Sequence, residues 1–117
     1  MKLQIEQDKY DELVDLGGGT QALLAELLDK YLENSPKLIT DAKKALQENN
    51  AKQVDYCIHT LKGSTLCLGL QPLGKALVEV NVQTKLGDIS GVDSVLAETD
   101  DFLSQIREYR KTLKTSD

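Results

Sequence analysis

The sequence predicts an all-α fold: an up-and-down four-helix bundle with a short extra N-terminal helix, forming one domain over residues 1–117. Three observations lead there. Apolar residues recur every three to four positions along most of the chain, whereas period-two alternation never lasts a strand's length. Punctuation at Gly17–Gly19, Asn49-Asn50, Gly69 and Gly87 cuts this pattern into lengths typical of helices. Connections so short join antiparallel neighbours most simply.

The first segment, with Ile5, Leu13 and Leu16 as its apolar positions, is read as a short helix covering one end or side of the bundle. The second, residues 20–48, opens at Thr20, a residue type that caps helix N-termini. Its stripe runs through Leu24, Leu28, Tyr31, Ser35, Leu38, Ala42 and Ala45 and keeps phase across Pro36. That continuity favours one bent helix over two, although a proline removes a backbone donor and crowds the preceding turn. Asn49-Asn50 ends it and caps a third helix, residues 51–68, whose inner face is Val54, Cys57, Ile58, Leu61, Ser64, Thr65 and Leu68. Gly69 stops that helix. Pro72 starts the helix over 71–86, where its missing N–H is harmless, and Leu73, Leu77, Val80 and Thr84 form the stripe. The last helix, residues 91–114, carries Val92, Val95, Leu96, Phe102, Leu103, Ile106, Tyr109 and Leu113.

Composition narrows the function classes. Apolar residues at 40% fill a single core, and 28% charged residues with only ten Gly and Pro positions describe an ordinary globular chain. Fourteen Lys and Arg against nineteen Asp and Glu give a net charge of −5 with no basic block, which argues against a nucleic-acid partner. No apolar run approaches the ~18 residues that a membrane span needs. A start broken by charges between Met1 and Asp8 shows no leader pattern, so a cytoplasmic protein is expected. On one helix Cys57 and Cys67 stand roughly 15 Å apart, too far for a disulfide. Without a Cys-x-x-Cys or Cys/His cluster, no zinc site is indicated either.

His59 is the only histidine, and its helix phase opposes the apolar stripe, so it faces outward. Lys52, Asp55, Tyr56, Lys62, Gly63, Leu66 and Leu70 fall on the same side, within about 60° at 100° per residue. Lys62 at i+3 can bring its ammonium beside the imidazole, and Gly63 at i+4 leaves the ring without a side-chain neighbour one turn along. A mid-helix glycine costs ~1 kcal/mol against alanine. Either it makes room for something bulky at the histidine, or it permits a close helix contact. Asn81 lies as far after Leu70 as His59 lies before it, which makes the two level on adjacent antiparallel helices. Its amide would accept from Nδ1–H and leave Nε2 free. An outward histidine, a nearby cation and a clearing suit a phosphoryl carrier, with imidazole as nucleophile. No Walker motif or ATP-binding loop is present, so the chain is expected neither to bind ATP nor to phosphorylate itself. The phosphoryl group then comes from a partner. A metal on Asp55 and His59 would need a third ligand, and none is apparent.

His59-Thr60-Leu61-Lys62-Gly63-Ser64-Thr65, followed by Leu68-Gly69 and Leu73, resembles the signature of the histidine-containing phosphotransfer (HPt) domain of two-component phosphorelays. The motif and its flanks cover about a quarter of the chain, and the helix pattern agrees over nearly all of it. The resemblance implies a bundle that accepts a phosphoryl group on His59 from a receiver-domain aspartate and passes it to another receiver. It implies charge stabilisation by Lys62, clearance by Gly63 and a structural role at the helix interface for Ser64. Partners would be receiver domains and a hybrid sensor kinase; no cofactor is implied for this chain, magnesium belonging to the receiver. Where the family often has Gln or Glu bonded to the histidine, this chain has the shorter Asn81, which allows a bridging water. Ile58 and Cys67 stand where Ala and Asn are common, and read as packing changes.

Lys52, Asp55, Tyr56, Leu66 and Leu70 are candidates for receiver docking; Leu66 and Leu70 read equally well as residues covered by the first helix. A monomer is expected, because His59 has to stay accessible. The rival from another class is a helical module that binds receivers or kinases without carrying phosphate. Met1 and the polar end Lys114-Thr115-Ser116-Asp117 suit a free-standing protein more than a fragment of a hybrid kinase acting in cis.

Overall fold

The computed structural model describes residues 2–114. Five helices form: α1 (Gln7–Leu16), α2 (Ala22–Gln47), α3 (Ala51–Cys67), α4 (Leu73–Lys85) and α5 (Val92–Lys111). Each of the last four packs on its chain neighbours, and α5 closes the ring against α2. The bundle is therefore up-and-down with short connections, and its core is one cluster centred on Leu24, Leu28, Ile58, Leu61, Leu73, Leu77, Leu96, Phe102 and Ile106.

Pro36 lies inside α2 without dividing it. The 26 residues of that helix span about 39 Å at 1.5 Å each, most of the 49 Å long axis of the molecule. Thr20 is not its first residue. Its Oγ1 accepts from the Ala22 N–H at 3.3 Å and donates to the Gly17 carbonyl at 3.0 Å, tying the glycine loop to the helix start. Asn50 caps α3 by accepting from the Gln53 N–H at 3.1 Å. Gly69 ends the α3 segment with φ +64°, a left-handed conformation that relieves the helix of its last carbonyls. Pro72 sits just before α4, where its carbonyl accepts the first helical bond from Ala76 at 3.2 Å.

Two short strands lie outside the all-helical expectation. β1 (Gln4–Ile5) pairs antiparallel with β2 (Leu70–Gln71), Gln4 opposite Gln71 and Ile5 opposite Leu70. The Glu6 N–H donates to the Gly69 carbonyl at 2.9 Å, and the Leu3 N–H to Gln105 Oε1 on α5 at 2.7 Å. The N-terminal segment thus crosses the end of the bundle where α3 turns into α4. A Cβ on Gly69 would meet Lys9 Cβ at 2.8 Å, so the close approach of α1 also requires glycine there. Leu13 is the inward residue of α1; Leu16, expected beside it, is 67% exposed because the helix ends there and the chain leaves at Gly17.

Candidate functional site

The site is built on the outer face of α3, and the inner face explains its placement. Val54, Cys57, Ile58, Leu61, Thr65 and Leu68 are buried, which fixes the rotation of the helix and turns His59 to solvent. Ser64, assigned to the inner face, is half-buried at its edge. Thr65 Oγ1 donates to the Leu61 carbonyl at 2.7 Å and shares a 2.8 Å bond with Tyr31 Oη of α2, anchoring α3 to α2. Burial pushes the Tyr31 phenol up from its ordinary value, partly offset by hydrogen bonds with Thr65 and Ser35.

Around His59 the hydroxyl groups bond to the helix itself. Thr60 Oγ1 donates to the Tyr56 carbonyl at 2.9 Å, and Ser64 Oγ reaches the Leu61 carbonyl at 3.1 Å. No described residue hydrogen-bonds to the imidazole, and Lys62, half-buried at i+3, makes no ion pair among the described residues. Gly63 is exposed, and a Cβ built on it would meet nothing within 4 Å. Its φ is not positive. Neither a close helix contact nor a left-handed backbone therefore accounts for this glycine.

Asn81 is level with His59, as the contact between Leu66 and Gly74 in the same antiparallel pair requires, but it does not serve the ring. Its side chain is 1% exposed; Nδ2 donates to Asp55 Oδ1 at 3.1 Å and to Thr84 Oγ1 at 3.0 Å, and Oδ1 has no partner among the described residues. Thr84 Oγ1 donates to the same Asp55 oxygen at 2.7 Å. The hydrogen bond expected between Asn81 and His59 is thus replaced by a clamp that ties α4 to α3 one turn before the histidine. The Asp55 carboxylate fixes the amide through its Nδ2 donors, a charge-assisted bond of the stronger kind, and in that orientation Oδ1, the atom expected to accept from the ring, is buried and meets no described donor. In the sequence Thr84 is a stripe position, and its spacing from Asp55 across the turn is the signal that could have placed it in the clamp.

The docking candidates separate. Lys52 and Tyr56 are exposed, Tyr56 at 62%, and Leu66 is half-buried. Asp55 is half-buried and engaged by α4. Leu70 is corrected outright: it is 0% exposed in β2, sealed by Ile5 and the helices, so it belongs to the core. Cys57 is buried and its thiol raised, first by burial and then by Asp41. Cys67, expected to pack, is exposed. It lines an apolar groove of about 250 Å³ between α2 and α3 with Leu27, Tyr31 and Leu68. No group of three or more His, Cys, Asp or Glu among the described residues could hold a metal, and no helix among them is long and apolar enough to cross a membrane.

Comparison with known proteins bears on the same face. The backbone is similar to the crystal structure of histidine-containing phosphotransfer protein B from Pseudomonas aeruginosa PAO1. The TM-score is 0.78 at 17% identity, over 92% of this chain and 90% of that one. At that identity the likeness concerns the fold. No curated protein sequence matches the chain. The family model described as the Hpt domain matches residues 26–109, from the first turns of α2 to the last of α5, with the outward histidine of α3 inside the match. That span takes in all four bundle helices and well over half of the sequence, and the chain therefore belongs to the Hpt domain family, with a phosphotransfer role in two-component signalling.

Proposed function

We propose that this protein is a phosphorelay intermediate that takes a phosphoryl group onto His59 from the aspartate of one receiver domain and delivers it to the aspartate of another. The observation that carries this reading is an exposed imidazole, without a partner among the described residues, beside a glycine that neither packing nor backbone conformation requires. Nε2 is the ring nitrogen farther from the backbone and the one a docked partner would meet. Its lone pair forms the P–N bond as the P–O bond to the donor aspartate breaks, with that electron pair returning to the carboxylate. The proton on Nδ1 stays there, and the Lys62 ammonium balances the charge brought by the phosphoryl group. The reverse sequence at a second receiver completes the relay.

Gly63 leaves room for the receiver's catalytic loops, while Lys52, Tyr56 and Leu66 provide a mixed polar and apolar rim for docking. Asp55 and Asn81 contribute by fixing α4 against the histidine's helix. Ser64 keeps its hydroxyl on the helix, at the edge of the α2–α3 groove. The phosphoryl group originates on a hybrid sensor kinase, and magnesium is carried by the receiver. The protein acts as a monomer.

The test is incubation of the protein with a phosphorylated receiver domain and, separately, with ATP alone. Acid-labile, base-stable phosphate should appear only from the receiver and vanish in His59→Gln. Absence of label from a panel of receivers that nonetheless bind would replace the relay with a non-catalytic interaction module.

A further inference from the structure

Five large apolar side chains are exposed among the described residues, and three of them form one i, i+4 row, Val78 and Val82 on α4 and Leu86 at its C-cap. The row begins at Gly74, which is buried, and a Cβ there would meet Leu66 Cδ2 of α3 at 3.0 Å. Each step of four residues rotates about 40° around the helix, so a row that starts against α3 winds gradually outward. Exposure follows that drift: 40% at Val78, 54% at Val82 and 79% at Leu86. Because α3 and α4 are antiparallel, four residues forward on one match four backward on the other. Val78 is then level with Lys62, and Val82 with Ile58, next to His59. The apolar row thus runs along the flank of the histidine face.

Charge distinguishes the same region. The described stretch from Ala51 to Leu86 carries Lys52, Lys62, Lys75 and Lys85 against Asp55 and Glu79, a net charge of +2 in a chain of −5. Asp55 is engaged by Thr84 and Asn81, and none of the four lysines makes an ion pair among the described residues. An apolar row bordered by unpaired cations is complementary to a partner with an apolar helix beside an acidic pocket. Resting on the relay reading, we propose that Val78 and Val82 form a specificity-determining flank of the docking surface, occupied by the receiver domain whose acidic phosphorylation pocket lies over His59. Leu86, level with the first turn of α3, marks where the row leaves that footprint.

The experiment compares the unaltered protein with Val78→Gln, Val82→Gln and, as a control on another exposed apolar residue, Leu16→Gln. Transfer from a phosphorylated receiver is followed as a function of protein concentration, and direct labelling of His59 by phosphoramidate is followed in parallel. The two valine variants should raise the half-saturating concentration about tenfold each, as expected when an anchoring contact is truncated. Leu16→Gln should leave it unchanged, and phosphoramidate should label all four proteins equally. Unchanged concentration dependence in the valine variants, with transfer intact, would overturn this proposal and leave the relay standing. Slowed phosphoramidate labelling would also overturn it, because the valines would then act on the histidine and not on docking. No transfer to the unaltered protein, with phosphoramidate still labelling His59, would overturn both readings. A dimer in sedimentation that Val82→Gln dissociates would reassign the row to a second copy of the chain.

Discussion

Gly63 separates stability from function more cleanly than any other position. It lies in the interior of α3, exposed, with no heavy atom within 4 Å of where a Cβ would stand. Alanine there should therefore collect the full helix-propensity difference without a clash, stabilising the protein by about 1 kcal/mol. For a domain of this size that corresponds to a rise of about 4 °C in Tm. Glutamine has nearly the same propensity as alanine, so Gly63→Gln should also be at least as stable as the unaltered protein. Its longer side chain, however, enters the space one turn from His59 that a docked receiver would occupy. Transfer from a phosphorylated receiver should fall about tenfold to hundredfold, the scale at which misplacing reacting groups slows a reaction. Urea unfolding followed by far-ultraviolet circular dichroism gives the first quantity, and rapid-quench transfer the second. A loss of stability in Gly63→Ala would mean that something packs against this face. Undiminished transfer in Gly63→Gln would refute the clearance argument directly.

Four further outcomes can be measured. His59→Gln should abolish transfer with unchanged helicity, because the ring is exposed and unbonded; a collapse of the circular dichroism would contradict its outward placement. Leu70→Ala should destabilise the protein by about 2–5 kcal/mol, as removal of a wholly buried leucine does, whereas a docking residue would affect receiver affinity alone. Asn81→Ala should cost about 1–3 kcal/mol in denaturant unfolding by breaking the clamp to Asp55, while the nitrogen-15 shifts that report the His59 tautomer stay in place; displaced shifts would show that the amide reaches the ring after all. Tyr31 has a raised folded-state value, so it is ionised more readily in the unfolded chain, and its contribution is fully present below about pH 10 and lost as pH rises above that. The alkaline decline in stability should be shallower in Tyr31→Phe, and equal slopes in the two proteins would exclude the phenol as its source.

The helices were legible because their information is local. Stripes such as Val54, Ile58, Leu61 and Thr65 state the rotation of a helix without reference to its neighbours, and the outward direction of His59 follows from them. Of the two readings open for Leu70, burial holds and docking does not, because helix phase says nothing of a residue beyond the helix end. The left-handed Gly69 resets the chain, and the residue after it enters the core as part of a strand. That strand left no period-two pattern, since two residues per strand are too few to make one. Asn81 shows the other limit. Distance from the turn gives its level against α3, but which side chain it meets depends on how far α4 is rotated. The rotation found turns Nδ2 to the Asp55 carboxylate, a charge-assisted bond, and keeps Oδ1 away from the ring.

On the relay reading, the same clamp bears on how His59 would become reactive. Thr60, Ser64 and Thr65 give their hydroxyl protons to carbonyls of α3 itself, and Asn81 gives its amide protons to Asp55 and Thr84, so no described residue hydrogen-bonds to the His59 ring. Under the relay reading, alignment of Nε2 with phosphorus is then completed by the receiver as it docks. For an exposed ring without a described hydrogen-bond partner, the cost of orienting would then fall at the moment a phosphoryl donor is in place. Rigidity sits one layer down, in the clamp of Asp55, Asn81 and Thr84 and in the bond between Tyr31 and Thr65, which hold α3 against α4 and α2. On the relay reading the arrangement would suit a carrier that serves two receivers: the helix presenting the histidine is fixed, while the ring's final orientation would be supplied by whichever partner is bound.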